Sequence, residues 1–123
     1  MTQLQDIQNR QDIERLVKTF YATATADPIL APHFQHVDWQ HHFPRMIDFW
    51  AFILLDQTGF TGNVFDAHQR LDINHTHFQQ WITHFNQTVD TLFSGEKAHL
   101  AKQRAESIAT IFQHKLAFIK NKT

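Results

Sequence analysis

The sequence predicts an all-α fold, and three observations lead to this class. Apolar residues recur every three or four positions through most of the 123 residues, a spacing that places them along one face of a helix. No stretch alternates between apolar and polar residues for long enough to form a strand. Gly and Pro number three each, too few for the many tight turns of a β-sandwich. We therefore expect a single all-α domain over 1–123.

Two helices are expected in the first half of the chain. The first covers 10–26, begins near Asn9, and stops before Pro28 because the residue before a proline avoids the α region. The second covers 38–56 and contains Pro44, which removes a backbone donor and clashes with the preceding turn. Either the regular helix begins just before Pro44, or the first turn of this helix is irregular.

The second half of the chain predicts three more helical segments. A short helix is expected near 64–71, between two loops. Longer helices follow over 75–93 and 96–119, each with apolar residues at helical spacing. The polar segments 1–8 and 120–123 are expected to be poorly ordered, since they carry few apolar residues that could anchor them.

Composition excludes several classes of partner and of site. Eleven basic and twelve acidic residues give a net charge of −1, with no basic block that would bind nucleic acid or an anionic membrane. The longest unbroken apolar run covers 49–55, seven residues, far too short to span a bilayer. Cysteine is absent, which excludes disulfides, thiolate zinc sites and Fe–S clusters. Because the start of the chain also lacks a signal-peptide pattern, we expect a cytoplasmic protein. The outward faces of the helices mix both charges without a large apolar patch, so we expect a monomer.

Histidine is unusually frequent, with ten residues spread along the chain. His33 and His36 have the spacing of a helical metal pair, but no clear third ligand accompanies them. Surface histidines in contact with water explain most of the ten better than a zinc site does. A histidine-rich metal buffer stays open as a minor alternative.

A few polar aromatic residues lie on otherwise apolar helix faces. Tyr21 follows Phe20 on the first long helix, and His42 lies one turn before Met46 on the second. Trp81 lies on the apolar face of the segment 75–93. Buried Tyr and Trp side chains need hydrogen-bond partners, and each of these residues, taken alone, is better explained as a core residue that bonds to a backbone carbonyl. Taken together with their neighbours, they form a more specific pattern.

This ordered series of residues resembles the truncated haemoglobins, and among them most closely group III. The resemblance covers roughly 10–112. Its matching residues are Phe20-Tyr21, Asp27-Pro28, Leu30, Pro32, Phe34, Trp39, His42, Pro44-Arg45-Met46, Asp48-Phe49-Trp50, Leu54-Leu55, Gly62-Asn63, His68, Leu71, His77-Phe78, Trp81, Phe85, Thr88-Val89, Phe93, Gly95-Glu96, Ala98, Ala105 and Ile108-Ala109.

The resemblance implies a two-over-two helical sandwich that encloses a haem b, and it assigns roles to individual residues. His68 falls at the position of the proximal histidine that binds the haem iron. Tyr21, His42 and Trp81 fall at distal positions where they donate hydrogen bonds to a bound ligand. The remaining assignments are Phe34 on the haem face, Met46 on the distal side and Arg45 beside a propionate. Apolar residues for the haem slot are available at Phe20, Phe34, Phe49, Trp50, Ile53, Leu71, Phe78 and Phe85.

The function that the resemblance implies is a globin that binds O2 and NO at a five-coordinate iron. Strong distal hydrogen bonding slows ligand release, which favours redox chemistry on oxygen, peroxide or nitrogen oxides over bulk O2 transport. Such chemistry would be peroxidase-like or NO dioxygenase-like, with an unidentified reductase as partner. In one alternative, His42 itself becomes a sixth iron ligand. In another, the chain is a cofactor-free helical module that binds a partner protein or a lipid.

Overall fold

The computed structural model describes residues 3–58, 60 and 73–121. Within these ranges the chain forms four α-helices and no strand, which confirms the all-α prediction. A short 3₁₀ helix lies between the first two of them, and the predicted short helix at 64–71 lies outside the described residues. The helices are α1 (Arg10–Ala24), the 3₁₀ helix (Ala31–Phe34), α2 (Trp39–Leu55), α3 (His75–Leu92) and α4 (Glu96–Asn121).

Helix α1 begins where the sequence predicts and ends two residues early. The side chain of Asn9 accepts a hydrogen bond from the backbone N–H of Asp12, at 2.9 Å, and so caps the first turn. At the other end, both the N–H and the hydroxyl of Thr25 donate to the carbonyl of Tyr21. The chain then turns through Asp27, whose N–H bonds to the carbonyl of Ala24. The predicted end at residue 26 is therefore wrong by two residues.

Helix α2 begins at Trp39, five residues before Pro44, so the proline does not delay the start of the helix. Asp38 caps the helix by accepting from the N–H of Gln40, at 3.2 Å. Pro44 lies inside the helix, where it removes the donor that would bond to the carbonyl of Gln40. The helix ends at Asp56, which has a positive φ of 54° and the left-handed conformation common just past a helix end.

The segment before α1 is anchored to the start of α4. The carboxylate of Asp6 accepts hydrogen bonds from the backbone N–H groups of Lys97 and Ala98, both at 2.9 Å. Ile7 is only 1% exposed and belongs to the main core. The expectation of disorder over 1–8 is thus wrong for the described residues 3–8, because one capping carboxylate and one buried side chain hold them in place.

The helices pack as two stacked pairs. Helix α1 contacts both α2 and α3, and α3 contacts α4 along much of its length. The predicted apolar face of α1 is the buried one, and it lies at the centre of the core. None of the described helices is long and apolar enough to cross a membrane. This arrangement leaves a cavity between α1, α2 and α3, closed on its far side by α4.

Candidate functional site

A cavity of about 240 Å³ lies between the helix pairs. Its wall is mainly aromatic and aliphatic, with three histidines and one tyrosine as the polar exceptions. Pockets between the helices of a bundle are a common place for cofactors and small ligands. The described residues that line it are Phe20, Tyr21, Leu30, His33, Phe34, Val37, His42, Met46, Phe49, Trp50, Ile73, His77, Phe78, Trp81, Phe85, Ile108, Ala109 and Phe112.

Most of the site residues expected from the sequence lie on this one cavity. Those on its wall are Tyr21, Phe34, His42, Met46, Phe49, Trp50, Phe78 and Trp81. Ile53 packs against the core instead, and Arg45 is exposed at the surface. His68 and Leu71 lie outside the described residues, so the predicted axial ligand has no described position.

Tyr21 and His42 meet on the cavity wall. The phenol oxygen of Tyr21 lies 2.7 Å from Nε2 of His42, a short hydrogen bond between α1 and α2. Tyr21 is 8% exposed, and burial raises the pKa of its phenol, so the hydroxyl keeps its proton at neutral pH. With a neutral imidazole, the O–H of Tyr21 donates to Nε2, or an Nε2–H donates to the phenol oxygen. These two expected donors are therefore coupled to each other.

The Tyr21 ring is held in place by aromatic contacts. Five aromatic rings of the described chain approach it edge-on, with centroid distances from 4.9 to 5.9 Å. These rings belong to Phe20, Phe34, Trp39, His42 and Phe43. Edge-to-face pairs are the favourable geometry for aromatic rings, so the position of the hydroxyl on the cavity wall is well fixed.

Trp81, on α3, also lines the cavity. Its ring stacks on Phe85 at a centroid distance of 5.8 Å and meets Phe20 edge-on at 5.9 Å. Phe85 in turn stacks on Trp50 of α2, at 4.9 Å. This stack joins α2 to α3 across the core and fixes the orientation of the indole at the cavity.

A histidine pair on the cavity wall was missed by the sequence analysis. Nε2 of His33, in the 3₁₀ helix, lies 3.2 Å from Nε2 of His77, in the first turn of α3. Nδ1 of His77 accepts from the backbone N–H of Asn74, at 3.0 Å, and completes a capping box. A neutral His77 then carries its proton on Nε2 and donates it to His33. The spacing of Asn74 and His77 in the sequence indicates the capping box, whereas no local pattern indicates the contact of His77 with His33.

This pairing also bears on the metal-site alternative. A histidine nitrogen that carries a proton cannot bind a metal ion, and that proton lies between the two rings. Within the described part of the chain, no group of three or more His, Asp or Glu side chains is placed to hold a metal ion. His33 contacts His77 in the described part of the chain.

A hydrogen bond from α3 holds the turn that leads into the 3₁₀ helix. Nε2 of His84, on α3, lies 2.6 Å from the carboxylate of Asp27. The hydrogen bond from His84, and next the N–H of Ile29, lower the pKa of Asp27. Nδ1 of His84 is buried, and no hydrogen-bond partner for it lies among the residues that the structure describes. Because Asp27 organises the turn before the 3₁₀ helix, this pair positions His33 and Phe34 at the cavity.

Arg45 lies at the rim. Its guanidinium lies over the ring of Phe60, 5.7 Å from the centroid, in a cation–π contact. Phe60 packs edge-on against Phe49, which lines the cavity. Arg45 is therefore near the cavity opening but not inside it. Its expected pairing with a propionate stays a prediction.

Two stacked helix pairs around an aromatic cavity, with a buried tyrosine and a histidine in contact on its wall, define a small globin-type protein with an apolar internal site. The sequence agrees. The chain belongs to the bacterial-like globin family, whose sequence model matches residues 4–117. Membership of this family implies a haem-binding globin.

Individual relatives support the same assignment. The chain is similar to a group 3 truncated haemoglobin of Campylobacter jejuni, with 27% identity over 115 residues that cover 88% of this chain and 91% of the relative. It also resembles the crystal structure of a group III truncated haemoglobin from Campylobacter jejuni, at 26% identity and a TM-score of 0.83, over 93% of this chain and 95% of that chain.

A more distant structure agrees at the level of the fold alone. It is a mutant truncated haemoglobin from Tetrahymena pyriformis in its Fe(III) form, with a TM-score of 0.71 at 18% identity. The match covers 84% of this chain and 89% of that chain. These similarities confirm both the truncated haemoglobin assignment and the two-over-two helical fold.

Proposed function

We propose that this chain binds a haem b in the cavity, with His68 as the axial ligand of a five-coordinate iron. We further propose that the bound haem serves redox chemistry on oxygen, peroxide or nitrogen oxides. The observation that carries the proposal is the aromatic cavity whose wall carries the Tyr21–His42 contact. A metal buffer would not need the apolar wall, and a groove for a partner protein would not need a fixed phenol directed at its interior.

The described residues fit a haem. A porphyrin is flat and apolar except at its propionates, so it needs rings and aliphatic groups on both faces and a cation at its edge. Phe34, Phe49, Trp50 and Phe78 supply such groups on the cavity wall. Arg45, beside the rim, is the proposed partner of a propionate, since guanidinium groups bind carboxylates well.

The distal side chains would stabilise a small ligand inside the pocket. Haem iron, when bound, supplies the site at which a diatomic molecule binds and exchanges electrons. In one tautomer, Nε2–H of His42 donates to the phenol oxygen of Tyr21, and this arrangement leaves the Tyr21 O–H directed at the ligand. Trp81 is the second proposed donor, through its indole N–H. Each hydrogen bond to a partly charged acceptor contributes about 1 kcal/mol or somewhat more.

Slow ligand release follows from these donors and argues for chemistry over transport. Two such hydrogen bonds, at about 1.4 kcal/mol for each tenfold change, slow dissociation by roughly 10- to 100-fold. A carrier that releases its ligand slowly delivers it poorly. We therefore propose peroxidase-like or NO dioxygenase-like chemistry, in a cytoplasmic monomer that receives electrons from a separate reductase.

The visible spectrum of the full chain, expressed with adequate haem supply, tests the proposal. The wild type is expected to be red with a five-coordinate ferrous spectrum, and His68→Ala is expected to lose it. His36→Ala, which changes an exposed histidine away from the cavity, is the matched control and keeps the spectrum.

Two outcomes would contradict the proposal in different ways. A colourless protein that gives no Soret band with added haemin would support a cofactor-free binding module. A low-spin six-coordinate spectrum that disappears in His42→Leu would make His42 a second iron ligand. The contact between Nε2 of His42 and Tyr21 supports the five-coordinate form, because that nitrogen is already engaged.

A further inference from the structure

We propose that Tyr21 and His42 form a proton-coupled redox pair. Tyr21 gives one electron to the haem after hydrogen peroxide has oxidised it in the pocket, and its phenolic proton passes to Nε2 of His42. The source of the oxidant rests on the proposed function, whereas the pair itself depends only on the contact between the two side chains. Trp39 then conducts an electron from the surface back to Tyr21.

The geometry is that of a phenol held against a base. The step uses the tautomer in which the O–H of Tyr21 donates to Nε2 of His42, the alternative to the tautomer that leaves this O–H for a bound ligand. The phenol oxygen and Nε2 are 2.7 Å apart, within the range of direct proton transfer. Burial raises the pKa of the phenol, so the easily oxidised phenolate does not form beforehand. A phenol that loses an electron becomes a strong acid, and a base must accept its proton in the same step. His42 is the group in contact with that oxygen.

Trp39 connects the pair to the surface. Its ring contacts Tyr21 edge-on at a centroid distance of 5.2 Å and His42 at 5.5 Å. It is half-buried at the start of α2, so one edge of the indole reaches solvent. Tyrosine and tryptophan are the aromatic side chains that are oxidised most easily, whereas the phenylalanines that also surround Tyr21 are not. Trp39 is therefore the neighbour suited to pass an electron inward.

The electrons and protons balance over one cycle. Reduction of one hydrogen peroxide to two waters takes two electrons and two protons. Each time the pair is used, Tyr21 releases one electron and becomes a neutral radical, and His42 becomes an imidazolium. A small one-electron organic reductant, such as a hydroquinone, returns one electron to the radical through Trp39, and the proton on His42 returns to the phenol oxygen. Two such uses of the pair supply the two electrons that one hydrogen peroxide takes. The protons of the water come from solvent.

Such a pair would protect the pocket. Met46 lies on the cavity wall one turn after His42, and its thioether is readily oxidised to the sulfoxide, which would place a polar group in an apolar site. The chain has no cysteine to absorb oxidising equivalents. A tyrosine that is oxidised reversibly, and then reduced by an electron from the surface, consumes the oxidant before it oxidises Met46.

The pair can be tested without haem, so that its failure is distinguishable from failure of the proposed function. A photogenerated ruthenium(III) complex oxidises the full haem-free chain, and electron paramagnetic resonance with transient absorption follows the radicals. Tyr21 is the single tyrosine of the chain, so any tyrosyl signal belongs to it. We expect a neutral tyrosyl radical that forms more slowly in D2O than in H2O.

Variants assign the base and the route. His42→Leu is expected to slow formation of the tyrosyl radical about 100-fold, since a positioned base contributes at least that factor. His41→Leu is the matched control, because His41 is exposed and bonds to Asp38 instead, and it is expected to form the radical at the wild-type rate. Trp39→Phe is expected to lower the yield of the tyrosyl radical, because an electron from Tyr21 can then no longer pass through the indole to the ruthenium complex.

The haem-loaded protein provides the second measurement. With hydrogen peroxide, the wild type is expected to give the same tyrosyl signal, and Met46 sulfoxide, measured by mass spectrometry, is expected to increase in His42→Leu but not in His41→Leu. A wild type without a D2O effect, or a His42→Leu variant with an unchanged rate, would overturn the proposal. A signal from tryptophan alone would overturn it as well.

Discussion

Replacing Tyr21 with Phe removes the hydroxyl and keeps the ring, so the effect of the hydroxyl can be measured by itself. Phe keeps the size of the side chain, so the five edge-on ring contacts of the described chain remain. What is lost is the hydrogen bond of 2.7 Å to Nε2 of His42 and the O–H that faces the cavity. The change therefore tests the donor role with little disturbance of packing.

The expected magnitudes follow from those two losses. The hydrogen bond to His42 contributes about 0.5 to 1 kcal/mol to the free energy of unfolding, at the low end because half-buried His42 can turn to water instead. The lost donor to the ligand corresponds to about 1 to 1.5 kcal/mol, which accelerates oxygen dissociation roughly fivefold to tenfold. The functional effect should therefore be clear in a protein that is nearly as stable as the wild type.

The assay is the oxygen dissociation rate of the haem-loaded protein, measured by rapid mixing with an oxygen scavenger, beside urea unfolding of the same samples. Phe43→Leu is the control, because it removes one ring contact with Tyr21 and keeps the hydroxyl. An unchanged dissociation rate in Tyr21→Phe would refute the donor role. An equal acceleration in Phe43→Leu would refute it too, since packing alone would then explain the effect.

Three further predictions concern residues that shape the cavity or its supports. Gly95→Ala is expected to lower the free energy of unfolding by about 1 to 3 kcal/mol in urea, because φ is 143° there and a Cβ would lie 2.5 Å from Cγ of Asp6. Asp27→Asn is expected to lower the thermal midpoint at neutral pH. The hydrogen bond from His84 lowers the pKa of Asp27 in the folded protein below its ordinary value of 3.8. The contribution of this hydrogen bond to the free energy of unfolding is therefore complete above pH 3.8, and it disappears as the pH falls through the lower pKa of the folded protein. His77→Ala, which loses the capping box, is expected to cost about 1 kcal/mol in thermal unfolding.

Controls and contrary results are available for each. Ser94→Ala leaves Gly95 unchanged and is expected to match the wild type, and an equally stable Gly95→Ala would exclude strain at that position. A stability difference for Asp27→Asn that stays constant down to pH 2 would exclude the pairing with His84. Gln79→Ala changes an exposed residue of α3 and is expected to be as stable as the wild type. A His77→Ala variant that unfolds at the same temperature as Gln79→Ala would exclude the contribution of the capping box.

The helices could be predicted from the sequence because helical periodicity is a local property. The buried residues of α1, from Ile13 to Ala24, are the ones that the spacing of three and four selects. The ends were less predictable, since they depend on individual hydrogen bonds. The carbonyl of Tyr21 accepts from both the N–H and the hydroxyl of Thr25, and this ends α1 before the Asp27-Pro28 signal.

Contacts between distant residues could not be predicted in this way. Asp6 caps a helix that begins 90 positions later in the chain, and its contacts with Lys97 and Ala98 follow from packing, which no local pattern encodes. The pair of His33 and His77 is separated by 44 positions for the same reason. Helical periodicity predicted the apolar residues that line the cavity, whereas the polar site residues were predicted from the resemblance to truncated haemoglobins.

A crystal structure of the protein prepared with haem is the most direct test of the central claim. The account predicts a porphyrin between α2 and α3 whose iron is bonded to an imidazole nitrogen of His68, with the Tyr21 hydroxyl and His42 on the opposite face. An iron held by any other side chain, or a His68 ring turned to solvent while haem fills the cavity, would contradict it.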